Sequence, residues 1–140
     1  MVVDEVREKQ QTHTLRVSCV CVCVCAQNLL LFVFLLLLQH GATYTCDVEF
    51  GCNALDPETN WVLDIGLALT MLGEVLAKYN LQNLDDLFPS QLTTTEFMAQ
   101  QIHQDLCERL RKECPTFEGD LCVKLWESHK AWASYTHPVQ

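Results

Sequence analysis

His103 and Cys107 stand four residues apart, a spacing that sets two side chains on one face of a helix. An imidazole and a thiol so placed could share a metal ion. A structural zinc site needs four ligands, usually with a tight C-x2-C pair. The other cysteines beyond residue 45, Cys46, Cys52, Cys114 and Cys122, show only C-x5-C, C-x6-C and C-x7-C spacings. No metal site is therefore expected, and no cofactor. No G-x-S-x-G elbow and no phosphate-cradling glycine loop occurs. No catalytic residue is assigned and no enzyme is expected.

Without a chemical role, Cys46, Cys52, Cys107, Cys114 and Cys122 become disulfide candidates, because a chain this short gains from covalent staples. Five is odd, so the leftover thiol suggests a disulfide-linked homodimer or a buried cysteine. The 140 residues carry 9 Lys+Arg against 18 Asp+Glu, a formal charge of −9. All of that charge falls in residues 46–140. A basic face for nucleic acid is missing, so no nucleic-acid partner is expected.

The elements that would position these groups begin after an apolar run. Val17 to Leu38 carries no charge and ends in the ten residues Leu29 to Leu38. That length suits a signal-peptide core better than a membrane span. Residues 29–45 are read as signal core and cleavage region, with a membrane anchor only if the leader is uncleaved, and residues 46–140 as a secreted, extracellular domain. Before it, Cys19, Cys21, Cys23 and Cys25 alternate with valine, as a TGTGTG repeat read in frame would. Residues 1–28 are read as a non-structural or mispredicted N-terminus.

Within 46–140 the patterning predicts helices throughout. Asp56 and Pro57 start a first helix running to about Tyr79 with Asn80 as C-cap. Its apolar stripe is Trp61, Val62, Ile65, Leu69, Leu72, Leu76 and Tyr79. Leu81, Leu84, Leu87 and Phe88 suggest a short turn ended by Pro89. Thr93-Thr94-Thr95-Glu96 reads as a capping box, opening a helix that buries Ala99, Ile102, Leu106, Leu110 and Cys114, with Asp105–Arg109 and Glu108–Lys112 paired outside. A third helix is expected from Asp120, burying Leu121, Cys122, Leu125, Trp126 and Trp132. The fold class expected is all-α, a small disulfide-stabilised bundle of three to four helices.

That architecture over residues 46–140 resembles a short-chain helical cytokine. The resemblance implies a secreted signalling protein that binds a cell-surface receptor through helix faces. The first helix carries a second apolar row, Leu63, Leu67 and Met71, flanked by Asp64 and Glu74. Such a row is either core or recognition surface, and Asp64, Leu67, Met71 and Glu74 are the expected receptor-binding residues. The alternative is a secreted helical disulfide protein carrying lipid or a small apolar ligand.

Overall fold

A computed structural model of the chain describes residues 12–26 and 39–139, with 20–26 and 39–41 as backbone. The apolar run at 29–38 lies outside the described residues. The elements in order are β1 (His13–Ala26), β2 (Gln39–Cys52), α1 (Ile65–Ala77), α2 (Leu84–Leu87), α3 (Thr95–Glu113), β3 (Asp120–Trp126) and β4 (Trp132–Pro138). The four strands form one antiparallel sheet in sequential order. The fold is α/β, which corrects the all-α expectation.

The strands follow from a period of two. In β2, Tyr44, Cys46, Val48, Phe50 and Cys52 are buried, as alternate residues of a strand must be when one face is covered. The register carries that row across the sheet: Val17 faces Val48 and Leu15 faces Phe50 on one side, while Val48 faces Val123 and Phe50 faces Leu121 on the other. Helices cover this face, with α1 and α2 against β1, and α3 against β3 and β4.

The expected third helix is instead the β3–β4 hairpin. Leu121, Val123 and Leu125 are buried, and Cys122, Lys124 and Trp126 alternate with them on the other face. The helical reading needs Trp132 in the core, but Trp132 faces Trp126 across the hairpin and is 51% exposed.

The first helix is shorter than expected and rotated. Asp64, not Asp56, is its N-cap and accepts from Leu67 N at 2.7 Å. Asp56 instead holds a turn, accepting from Glu58 N and Thr59 N. The buried face is Ala68, Met71, Leu72, Val75 and Leu76, whereas Trp61, Ile65 and Leu69 are exposed. The C-cap is Lys78.

Helix α3 is capped by Thr94, which accepts from Phe97 N at 3.2 Å, and buries Ala99, Ile102, Leu106 and Leu110. Asp105 and Arg109 bridge to α1 and the residues just after it rather than pairing with each other as expected. Asp105 takes Lys78 Nζ at 3.0 Å and Tyr79 OH at 2.6 Å. Arg109 pairs with Glu74 across the interface and with Glu113 at 3.3 Å.

No disulfide is found among the described residues, which corrects the second structural expectation; Cys52, Cys107, Cys114 and Cys122 are thiols, and Cys46 lies in the core. The core supplies the stability that staples were expected to give. Phe50, Met71, Leu72, Leu84, Leu106, Leu110, Leu121 and Leu125 are essentially fully buried between helices and sheet, each worth about 1.5–3 kcal/mol. Among the described residues, no helix is long and apolar enough to cross a membrane.

Candidate functional site

The helix-free face of the sheet carries a polar hub. Asp47, 5% exposed, accepts from Ser18 Oγ at 2.7 Å, from Trp126 Nε1 at 2.8 Å and from the Arg16 guanidinium. Burial pushes its carboxyl up, but the bonds from Ser18, Trp126 and Arg16 and the guanidinium charge outweigh that and hold it below the ordinary 3.8. A carboxylate this well satisfied stitches β1, β2 and β3 together rather than reacting. Beside it, Lys124 Nζ sits 4.1 Å from the Trp126 ring centre and 3.8 Å from that of Trp132, a cation held between two indoles.

At one end of the sheet the strands differ in length. β3 stops at Trp126, opposite Thr45, while the β1–β2 ribbon runs on to pair Cys23 with Ala42 and Cys25 with His40. Glu127 follows Trp126 directly. Its backbone is fixed by the hairpin turn, through Glu127 N to Ala131 O at 3.0 Å, and its Oε2 accepts from Thr95 Oγ1 at 3.3 Å. Thr95 opens α3, so this exposed carboxylate lies at the positive end of a 19-residue helix, where negative charge is favoured.

The walls of that end come from α1, α2 and the segment before α3. Thr93 Oγ1 donates to Asp85 Oδ1 at 2.7 Å, tying α2 to the approach of α3. Asp85 Oδ2 is a buried oxygen without a hydrogen-bond partner. Phe88 stacks on Tyr79 and meets Phe97 edge-on. Between Tyr79 and Asn83 the chain turns with Gln82 N bonded to Tyr79 O at 3.1 Å, and Leu81 there has φ +58°. Glycine or asparagine usually occupies that left-handed region; a leucine in it costs about 1–2 kcal/mol. Leu81 is nevertheless 71% exposed.

His103 lies away from this end, buried between α3 and β4. Its Nε2 is 3.2 Å from His137 O, its Nδ1 is 3.7 Å from Cys107 Sγ, and its ring meets Tyr135 edge-on at 4.9 Å. Burial pushes the imidazole below its ordinary 6.5 and the Cys107 thiol above its ordinary value. The pair is a neutral packing element. Among the described residues no group of three or more His, Cys, Asp or Glu is placed to hold a metal ion.

The residues expected to bind a receptor do not form a single exposed face. Met71 is fully buried and Leu67 packs against the core. Glu74 is engaged by Arg109. Asp64 caps α1 and lines two grooves of about 410 and 780 Å³ on either side of Trp61, at the opposite end of the sheet from Glu127. Sequence reading missed Glu127, Thr95, Asp47 and Leu81. The alternation Leu121/Val123/Leu125, ending in the turn Glu127-Ser128-His129-Lys130, was the available signal for the first of these.

A helix-backed antiparallel sheet with a carboxylate at a helix terminus is not the helical bundle of a cytokine. The model of the 6-pyruvoyl tetrahydropterin synthase family matches residues 36–138, and the chain belongs to that family. No curated protein sequence matches it. Among solved structures it is similar to the 6-pyruvoyl tetrahydropterin synthase of Caenorhabditis elegans, at 17% identity and TM-score 0.70 over 91% of this chain and 97% of that one. It is similar to the Plasmodium vivax enzyme at 13% identity and TM-score 0.73, over 91% and 99%. The Plasmodium falciparum enzyme matches at 13% and 0.71, over 91% and 98%. These likenesses show the fold. Family membership overturns the non-enzyme reading, the cytokine resemblance with its receptor partner and disulfide-linked dimer, and the lipid-carrier alternative: the family is one of lyases.

Proposed function

We propose that the chain is a lyase acting on a reduced pterin, bound at the end of the sheet where β3 gives way to Glu127. The observation that carries this reading, beside the family, is the Glu127 carboxylate held by Thr95 at the start of α3. The pyrimidine edge of a pterin presents a ring N–H and an amino N–H side by side. A single carboxylate accepts such a pair in parallel, and a charged acceptor makes both bonds strong. Thr95 and the helix terminus hold that acceptor in place.

The family's product name specifies a three-carbon side chain at C6 of the pterin. Elimination on such a chain removes a proton from carbon and expels a leaving group, so a base must stand near the C6 substituent.

The test is a titration of the full chain with a 6-substituted dihydropterin, wild type against Glu127→Gln. Glutamine keeps the shape but offers one acceptor oxygen and no charge. Binding should weaken roughly 10- to 100-fold, the equivalent of about 1.5–3 kcal/mol for bonds to a charged group. Equal affinity in the two proteins would remove Glu127 from the site.

A further inference from the structure

We infer that Asp85 is a positioning residue for the Glu127 carboxylate, setting through Thr93 where the first turn of α3 meets it; the inference rests on the pterin reading above. Asn83 caps α2 and accepts from Asp85 N at 3.2 Å, while its Nδ2 donates to Asp86 Oδ2 at 2.9 Å. The Asp85 carboxylate is therefore not needed to begin its own helix. It reaches eight residues on instead, where its Oδ1 accepts from Thr93 Oγ1 at 2.7 Å. Thr93 is 4% exposed. Among the described residues, the second oxygen, Asp85 Oδ2, is buried with no hydrogen-bond partner. A hydroxyl in its place could serve Thr93 without leaving a second oxygen unsatisfied, so the carboxylate is a costly choice for packing alone. What it supplies is a short, strong bond at one point.

That point is where the chain entering α3 becomes fixed. Pro89, Ser90, Gln91 and Leu92 before it are all exposed, and Thr93 is the first buried residue after them. Thr94 then caps α3, and Thr95, the first residue of the helix, gives its hydroxyl to Glu127 Oε2 at 3.3 Å. Bonds between a hydroxyl and an oxygen ordinarily span about 2.5–3.0 Å. A contact already at the long end has no slack, and a small outward shift of Thr95 removes it. α2 packs on β1, whereas α3 packs on β3 and β4. The Asp85–Thr93 bond joins these two walls two residues from Thr95, so it holds the start of α3 against the strand end that carries Glu127. Asp85 acts through that register and need not touch the ligand.

The experiment titrates the full chain with a dihydropterin bearing a three-carbon C6 side chain. Wild type is compared with Asp85→Ala, Thr93→Val and Thr93→Ser, and the first two are repeated in a Thr95→Val background, with thermal midpoints recorded alongside. Asp85→Ala and Thr93→Val should each weaken binding about five- to tenfold, and Thr93→Ser, which keeps the hydroxyl, should restore it. Over Thr95→Val the same two changes should weaken binding by less than about twofold, because the route to Glu127 is already cut. Equal weakening in both backgrounds would mark a purely structural role and overturn the inference. Wild-type affinity in folded Asp85→Ala and Thr93→Val would overturn it too, and leave the pterin reading standing. If Asp85→Ala does not fold, Thr93→Val, which keeps the side-chain volume, decides alone; failure of both to fold would make the bond structural and overturn the inference. A wild type that binds no pterin would overturn both readings.

Discussion

Asp47 and Lys124 face each other directly across β2 and β3, yet they do not pair. Lys124 places its ammonium over the Trp126 and Trp132 rings, and Asp47 takes its bonds from Trp126 Nε1, Ser18 and Arg16. The Trp126 indole is thus shared: its face holds the cation and its edge serves the carboxylate. This arrangement anchors the strand end from which Glu127 emerges.

Asp47→Ala should therefore destabilise the fold by about 1–2 kcal/mol, because it leaves the half-buried Trp126 indole N–H without its acceptor, while the exposed Arg16 and Ser18 turn to water. Trp126→Phe should cost about 1–2 kcal/mol through loss of one charge-assisted bond. Chemical denaturation of both and of the double variant checks this. Their effects should fall short of additive by about 1 kcal/mol, as expected for two residues in contact.

Stability should fall with acid in two stages. The His103 imidazole is held below its ordinary 6.5 by burial, so the unfolded chain takes up a proton before the folded one does. Its contribution is complete above 6.5 and is lost as pH falls through the lower folded value. Asp47 is held below its ordinary 3.8 by its partners despite burial, so a second loss sets in below that pH. Denaturation midpoints across pH 3–8 should show both, and His103→Gln should remove the first alone.

Two glycines should respond oppositely to alanine. A Cβ on Gly119 would stand 2.0 Å from the backbone oxygen of Gly51, and neither backbone can give way without disturbing the start of β3. Gly119→Ala should cost about 2–3 kcal/mol or more. At Gly73, inside α1, nothing lies within 4 Å of the added atom. Gly73→Ala should stabilise by up to about 1 kcal/mol. Thermal unfolding of the two variants decides it.

What the sequence disclosed depended on how local the signal was. Helix α3 was legible because its cap, its buried row of Ala99, Ile102, Leu106 and Leu110, and its end before Pro115 all lie within one segment. The strands were not. Asp120–Trp126 places Leu121 and Leu125 four apart, which fits a helical stripe, while Val123 between them shows the period of two. Trp126 and Trp132 looked like core because they are large; pairing across a hairpin put both on the open face. On α1, the choice between rows turned on Ala68 and Val75, which side with Met71 and leave Ile65 and Leu69 outside. The site was least legible. Glu127 and Thr95 are 32 residues apart, and only the antiparallel packing of α3 on β3 brings them together.

The N-terminus offers a separate check. A leader cut near Ala42 to Thr45 would remove β1, and with it Arg16 and Ser18 from Asp47. N-terminal sequencing of the folded protein should recover residues 12–26 if β1 is part of the working domain. A chain beginning close to Cys46 would mean that the sheet operates with three strands.

The most direct test of the central claim is turnover. The full chain would be incubated with a dihydropterin whose three-carbon C6 side chain carries a leaving group, and the product mass followed by mass spectrometry, wild type against Glu127→Gln. The account predicts loss of the leaving group with wild type and a slower reaction with the variant. An unchanged pterin in the presence of folded wild type would contradict it.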